Sequence, residues 1–224
     1  MLLIRPPGVY GPQGDTDLLV SCLRRERLTG ASRVLDLGTG TGVVALAAAR
    51  SGARVTAVDL SARAVLTAWL NTRLHRRRVE LRHGDLTRPV DGRRFDLVTA
   101  NPPYVPADGP GGPAGAVPTA GHGAALAWDA GPDGRLVLDR ICRDVPRLLT
   151  DDGVLLIVQS SLAGVQSTLT ALRRAGLRAA VVARRRQPFG PVMTARAGLF
   201  ERLGLIRAGE REEELVVVRG VRSR

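Results

Sequence analysis

The sequence predicts an α/β fold, a mainly parallel seven-stranded sheet with helices on both faces and a C-terminal antiparallel strand. Three observations predict it. Short aliphatic runs alternate with helix-length stretches through most of the 224 residues, as right-handed strand–helix–strand units require. A glycine turn, Gly38-Thr39-Gly40-Thr41-Gly42, joins the first run to an alanine-rich helix. Carboxylates stand at or just beyond the ends of three successive runs, as Asp36, Asp59 and Asp85.

The elements follow in order. Residues 1–30 form an N-terminal segment with a helix. Arg33 to Leu37 is a short buried strand, and Val43 to Ser51 is a helix stopped by Gly52. Arg54 to Asp59 is the second strand, and Ser61 caps a helix to about Leu74. Val79 to His83 and Phe95 to Ala100 are two more strands. A helix near Gly134 to Leu149 precedes the strand Val154 to Gln159. A helix from about Leu162 to Ala175 precedes a strand at Arg178 to Arg185, and Leu215 to Val218 returns antiparallel. Two segments interrupt the alternation. Val105 to Ala125 is a Gly/Pro-rich loop, either a lid over the site or a surface insertion. Gln187 to Gly209 is an insertion before the last strand, with a helical pattern from Ala195 to Leu203.

The length suits one domain over 1–224 with a buried core. Cys22, Cys142 and three scattered histidines supply no metal-ligand spacing and no disulfide framework, so no metal is expected. The N-terminus lacks the apolar stretch of a signal peptide, and no run is long enough to span a bilayer, which reads as cytoplasmic with no membrane partner. The net charge is +12, and all 33 basic residues are arginine. Codon composition accounts for such a bias as readily as binding does. The clusters Arg73, Arg76, Arg77, Arg78 and Arg184-Arg185-Arg186 leave contact with nucleic acid or ribosomal RNA open.

The carboxylates narrow the ligand. A dinucleotide fingerprint wants a small residue where Val43 stands. Asp36 would repel a pyrophosphate but attract the ammonium of S-adenosylmethionine. Gly38 and Gly40 let the backbone approach the ligand, and Asp59 can take both ribose hydroxyls. Asp85 can accept from an adenine amino group, with Leu60 and Leu86 on either side of the ring. Singly, Asp59 also reads as a helix start and Asp85 as a turn residue.

The fourth strand ends in Asn101-Pro102-Pro103-Tyr104. An amide or exocyclic amine nitrogen is a poor nucleophile because its lone pair is delocalised. The Asn101 side-chain oxygen and the Pro102 carbonyl can hold its two N–H groups and aim that lone pair at a methyl donor. Proline has no N–H to compete and holds its carbonyl rigidly, and Tyr104 offers a face for stacking. Catalysis is then positioning and charge stabilisation by Asn101, Pro102 and Tyr104.

With these motifs the chain resembles the HemK-type protein glutamine N5-methyltransferases, of the Rossmann-like class I methyltransferase fold. The resemblance spans about residues 8–160. It includes Gly8-Val9-Tyr10-Gly11-Pro12-Gln13-Gly14-Asp15-Thr16, Trp128-Asp129-Ala130-Gly131-Pro132-Asp133-Gly134-Arg135, and Asp139-Arg140. It favours the branch without an N-terminal helical domain. It implies methylation of the glutamine in a Gly-Gly-Gln motif of a release factor, with a small zinc-binding activator subunit in several members. It also implies that Thr16 touches the cofactor. Two other readings stand beside it: an N6-adenine-type methyltransferase acting on RNA or DNA, and a non-catalytic cofactor-binding subunit.

Overall fold

A computed structural model describes residues 1–106, 130–131 and 133–222. The suggested lid at Val105 to Ala125 therefore falls mostly outside the described residues, as do Trp128, Asp129 and Pro132. In chain order the elements are α1 (Gly14–Leu23), β1 (Arg33–Leu37), α2 (Val43–Arg50), β2 (Arg54–Asp59), α3 (Ala62–Leu74), β3 (Val79–His83) and β4 (Phe95–Ala100). Then come α4 (Leu136–Asp144), β5 (Leu149–Ser160), α5 (Val165–Arg174), β6 (Leu177–Pro188), α6 (Pro191–Ala195), α7 (Ala197–Arg202) and β7 (Glu212–Arg222).

The seven strands lie in the order β3-β2-β1-β4-β5-β7-β6, with β7 antiparallel to both its neighbours. Apart from Asp96, every β4 residue is buried, and so is β5 from Gly153 onward. Continuous burial of this kind means that both faces of the sheet centre are covered. At the outer strands, β3 and β6, burial is only partial. The chain leaves β1 toward β2 and β3, then crosses back to start β4 on the other flank. Leu37 pairs with Ala100 there, so the glycine loop and Asn101 leave the sheet side by side. Open α/β sheets place their ligand crevice at such a switch point.

Several elements differ in extent from the sequence reading. The helix expected at Ala195 to Leu203 is α7, and a further short helix, α6, precedes it and ends at Ala195. β5 starts earlier because Leu149 already pairs with Phe95, before a register shift. β6 and β7 run on together as a long antiparallel pair through Pro188 and Glu212, absorbing the first residues of the expected insertion. Ser61 caps α3 as expected, accepting from the Ala64 N–H at 3.3 Å.

A fully buried amide ties the N-terminal segment to this frame. Asn71 Nδ2 donates to the carbonyls of Ile4 (3.0 Å) and Thr41 (2.9 Å), and its Oδ1 accepts from the Ile4 N–H at 2.7 Å. Residues near the start of the chain are thereby fixed to α3 and to the end of the glycine loop. Asn71→Leu leaves those backbone groups unpaired, at about 1–3 kcal/mol. A lowered melting temperature with faster amide exchange at Ile4 is expected, and unchanged exchange there would contradict the tether.

Candidate functional site

The crevice is built first by glycine. Gly38, Gly40 and Gly42 have φ of +67°, +54° and +83°, a region L side chains rarely occupy. A Cβ at Gly38 would point into the crevice, 3.8 Å from the Asn101 carbonyl oxygen. The loop therefore presents bare backbone to whatever binds beside Asn101.

Asp36 lies beneath this loop, 2% exposed. Its Oδ2 accepts from the Thr39 hydroxyl at 2.7 Å and its Oδ1 from the Thr99 hydroxyl at 2.8 Å. Burial raises its pKa to about 6 against the two hydroxyl hydrogen bonds that lower it. Its first task is to hold the loop, and its charge is poorly solvated there. Asp59 ends β2 and accepts the N–H groups of Gly40 (2.8 Å) and Ser61 (2.9 Å). Each of those oxygens keeps a second lone pair. Burial raises the Asp59 pKa as well. Two under-solvated carboxylates beside a bare glycine loop suit a ligand that carries a cation and hydroxyl groups.

Asp85 lies beyond β3 with one of its two oxygens already engaged. The Arg140 guanidinium of α4 donates to its Oδ2 at 2.6 Å, with both side chains mostly buried. Leu60 follows Asp59 and is 43% exposed. Leu86 is half-buried with φ +46°, an unfavourable backbone for a branched residue. Leu60 and Leu86 thus follow the ends of paired strands, since Asp59 registers with His83.

The acceptor motif is held by a residue that sequence reading passed over. Asp15, 3% exposed, accepts four hydrogen bonds. Its Oδ2 takes the hydroxyls of Tyr10 (2.5 Å) and Tyr104 (3.0 Å), and its Oδ1 takes the Thr16 N–H (2.5 Å) and Thr16 hydroxyl (3.1 Å). Burial and the Asp15 charge push both tyrosine pKa values well above the usual phenol range, so both remain donors. A carboxylate can only accept, so the single Thr16 hydroxyl hydrogen is committed to Asp15. The Thr16 oxygen must then accept, and it does so from Asn101 Nδ2 at 3.4 Å. This leaves the Asn101 Oδ1 as the end turned away from Thr16. Tyr104, 8% exposed, serves as a wall anchored through its hydroxyl more than as an open stacking face.

Gly134 explains part of the downstream glycine stretch. A Cβ there would stand 2.4 Å from the Tyr104 carbonyl oxygen, so only glycine lets α4 begin beneath the acceptor motif. Arg135 then anchors that helix start, donating to the Gly164 carbonyl (3.0 Å) and the Thr168 hydroxyl (3.2 Å). The signal for Asp15 was its place before Thr16.

Sheet order, glycine loop and Asn-Pro-Pro-Tyr turn together define a class I methyltransferase. The family described as Methyltransferase small domain matches residues 2–109. A Methanocaldococcus jannaschii protein named a putative protein N5-glutamine methyltransferase is 33% identical over 85% of this chain and 92% of its own length. The ribosomal protein uL3 glutamine methyltransferase of Bradyrhizobium diazoefficiens is 40% identical over 66% of this chain. The release factor glutamine methyltransferase of Geobacter sulfurreducens is 40% identical over 45% of it. The chain spans only 45% and 36% of those two bacterial relatives. Among solved structures, the E. cuniculi Mtq2–Trm112 complex, described as methylating the eRF1 termination factor, superposes with TM-score 0.66 at 25% identity, covering 96% of this chain and 99% of that one. The chain belongs to the protein N5-glutamine methyltransferase family, and its cofactor is S-adenosylmethionine.

Two outcomes follow from the carboxylates. Because the folded pKa of Asp36 lies above the unfolded value of 3.8, its ionisation costs native stability above about pH 6, and the cost vanishes below both values. Asp36→Asn should therefore raise the melting temperature at pH 8, by about 2–4 °C per kcal/mol relieved, and leave it unchanged below about pH 4. Asp15→Asn replaces an acceptor with a donor and frees Asn101 to flip. Its kcat is expected to fall about 10- to 100-fold, with cofactor affinity by calorimetry within about threefold.

Proposed function

We propose that the chain transfers a methyl group to the side-chain amide nitrogen of a glutamine in a peptide chain release factor. The observation that carries this reading is the directed hydrogen-bond chain from Asp15 through Thr16 to Asn101. It commits the Asn101 oxygen to accepting one substrate N–H, while the Pro102 carbonyl accepts the other. Holding both N–H groups fixes the amide plane and aims the nitrogen lone pair at the methyl donor. The N–C bond forms as the S–C bond breaks, and one N–H proton is then released to water. S-adenosylmethionine supplies an electrophilic methyl group on a sulfonium. In this reading Gly38 and Gly40 line the cofactor and Asp36 charges the floor beneath it. Asp59 takes the ribose hydroxyls, Asp85 the adenine amine, Leu60 and Leu86 the ring, and Thr16 sits beside both ligands.

The names of the relatives favour a protein acceptor, among them enzymes acting on release factors, eRF1 and uL3. The complete relay argues against a non-catalytic subunit. A small zinc-binding activator would seat on the outer strand β3 and on α3, which exposes Leu66, Trp69 and Leu74. The N-terminal ends of β1 to β3 border an open groove of about 890 Å³, lined by six arginines and one carboxylate, Glu80. Arg73 lies over the Trp69 ring there, 5.4 Å from its centroid. Such a basic, aromatic surface suits RNA phosphates and would dock the enzyme on ribosomal RNA in the cytoplasm. It also keeps the adenine reading alive, so the test needs both substrates.

Purified release factor and total RNA, each incubated with enzyme and methyl-labelled cofactor, separate the readings. Label is expected on a release-factor glutamine and not on RNA. Asn101→Ala should lower kcat by about 100-fold or more, with cofactor affinity within about tenfold. Label on RNA alone would overturn the glutamine assignment.

A further inference from the structure

Behind the acceptor motif, on the side of Asp15, lies a small cavity of about 90 Å³. Tyr104, Val105, Val192 and Met193 give it apolar walls, and Gln13, Gln187 and Glu213 give it polar groups. Glu213 reaches it from the start of β7 and is 5% exposed. Its Oε1 accepts from Gln187 Nε2 at 3.0 Å. Its Oε2 is buried and no donor among the described residues reaches it with full hydrogen-bond geometry, although the Ser160 hydroxyl lies close enough to the carboxylate to lower its pKa. A buried acceptor left unpaired costs free energy that a donor arriving from outside recovers. Burial also holds the Glu213 pKa above the usual carboxylate range. Asp15, the other carboxylate on the cavity, already accepts four hydrogen bonds and has nothing left to offer.

We propose that Glu213 is a substrate-recognition residue whose free oxygen accepts one main-chain N–H of the polypeptide beside the methylated glutamine. The inference rests on the glutamine reading above and deepens it. The number of free acceptors selects the donor. An ammonium or guanidinium brings three to five N–H donors, and Glu213 Oε2, the one buried side-chain acceptor left without a full hydrogen bond among the described residues, cannot satisfy them. The volume falls well below the roughly 300–1,000 Å³ of pockets that enclose whole ligands, so a base ring does not enter. A lone peptide N–H next to a small side chain meets both limits. The cavity therefore selects glutamines whose neighbour in the chain is small and keeps its N–H. Gln187 is the positioning partner, since its amide fixes which Glu213 oxygen faces inward.

The test pairs enzyme and substrate changes. Release-factor variants carry alanine or proline at each position flanking the methylated glutamine, because proline removes the N–H. With wild-type enzyme, proline at one flanking position is expected to raise KM about ten- to a hundredfold over alanine there. E213Q turns an N–H₂ group into the cavity, and the proline-to-alanine ratio should then collapse to within about threefold. Its kcat and calorimetric cofactor affinity should stay within about threefold of wild type. An equal ratio in both enzymes at every flanking position overturns the role of Glu213. Failure of wild-type enzyme to label any release factor would instead sink the release-factor reading on which the inference rests. If circular dichroism shows E213Q misfolded, V192F carries the test by narrowing the cavity. A raised KM with intact cofactor affinity supports the subsite, and an unchanged KM overturns it.

Discussion

The acceptor end of this enzyme depends on the saturation of one buried carboxylate. Asp15 gathers two tyrosine hydroxyls, a threonine hydroxyl and a backbone N–H. A charge this deep is tolerable only when fully hydrogen-bonded. That requirement binds the N-terminal segment through Tyr10, the first helix through Thr16 and the fourth strand's exit through Tyr104. Hydrogen-bond polarity then does the rest, because each group in the chain has one role left once its neighbour's is set. The orientation of Asn101 is thus decided two residues away.

The three carboxylates after β1, β2 and β3 look alike in the sequence but carry different electrostatic loads. Asp36 and Asp59 are desolvated, and the groups that donate hydrogen bonds to them are neutral hydroxyls and backbone amides. Their negative charge is under-compensated, as a cation site requires. Asp85 is already neutralised by Arg140, so it offers hydrogen-bond geometry with little net field. The uncompensated charge thus declines from the sheet centre to its edge.

Much of the fold was legible because it is periodic. Strand–helix alternation, Ser61 as a cap and the antiparallel Leu215 to Val218 strand each leave a local signature. The acceptor turn and the glycine loop were legible for a similar reason, being contiguous. What stayed hidden was tertiary. Asp15 read as part of a resembling stretch, and its value comes from Tyr104, 89 residues away. Glu213 sits in Glu212-Glu213-Glu214, which reads as a charged edge until the pairing of β7 turns its middle member inward. Gly134 became explicable only when the Tyr104 carbonyl stood against it.

The place of β7 in the sheet bears on when the site comes into being. β7 lies between β5 and β6, so β6 cannot join the sheet until the strand that follows it in sequence has been inserted. α1, which carries Asp15 and Thr16, packs against β5, β6 and β7 together. The seat of the first helix is therefore complete only when β7 is in place. On a ribosome that synthesises from the N-terminus, β1 to β4 can pair early, and the cofactor crevice with them. The acceptor half is completed only after residues near 222 have emerged. A nascent chain could thus hold its cofactor before it has anywhere to put a substrate.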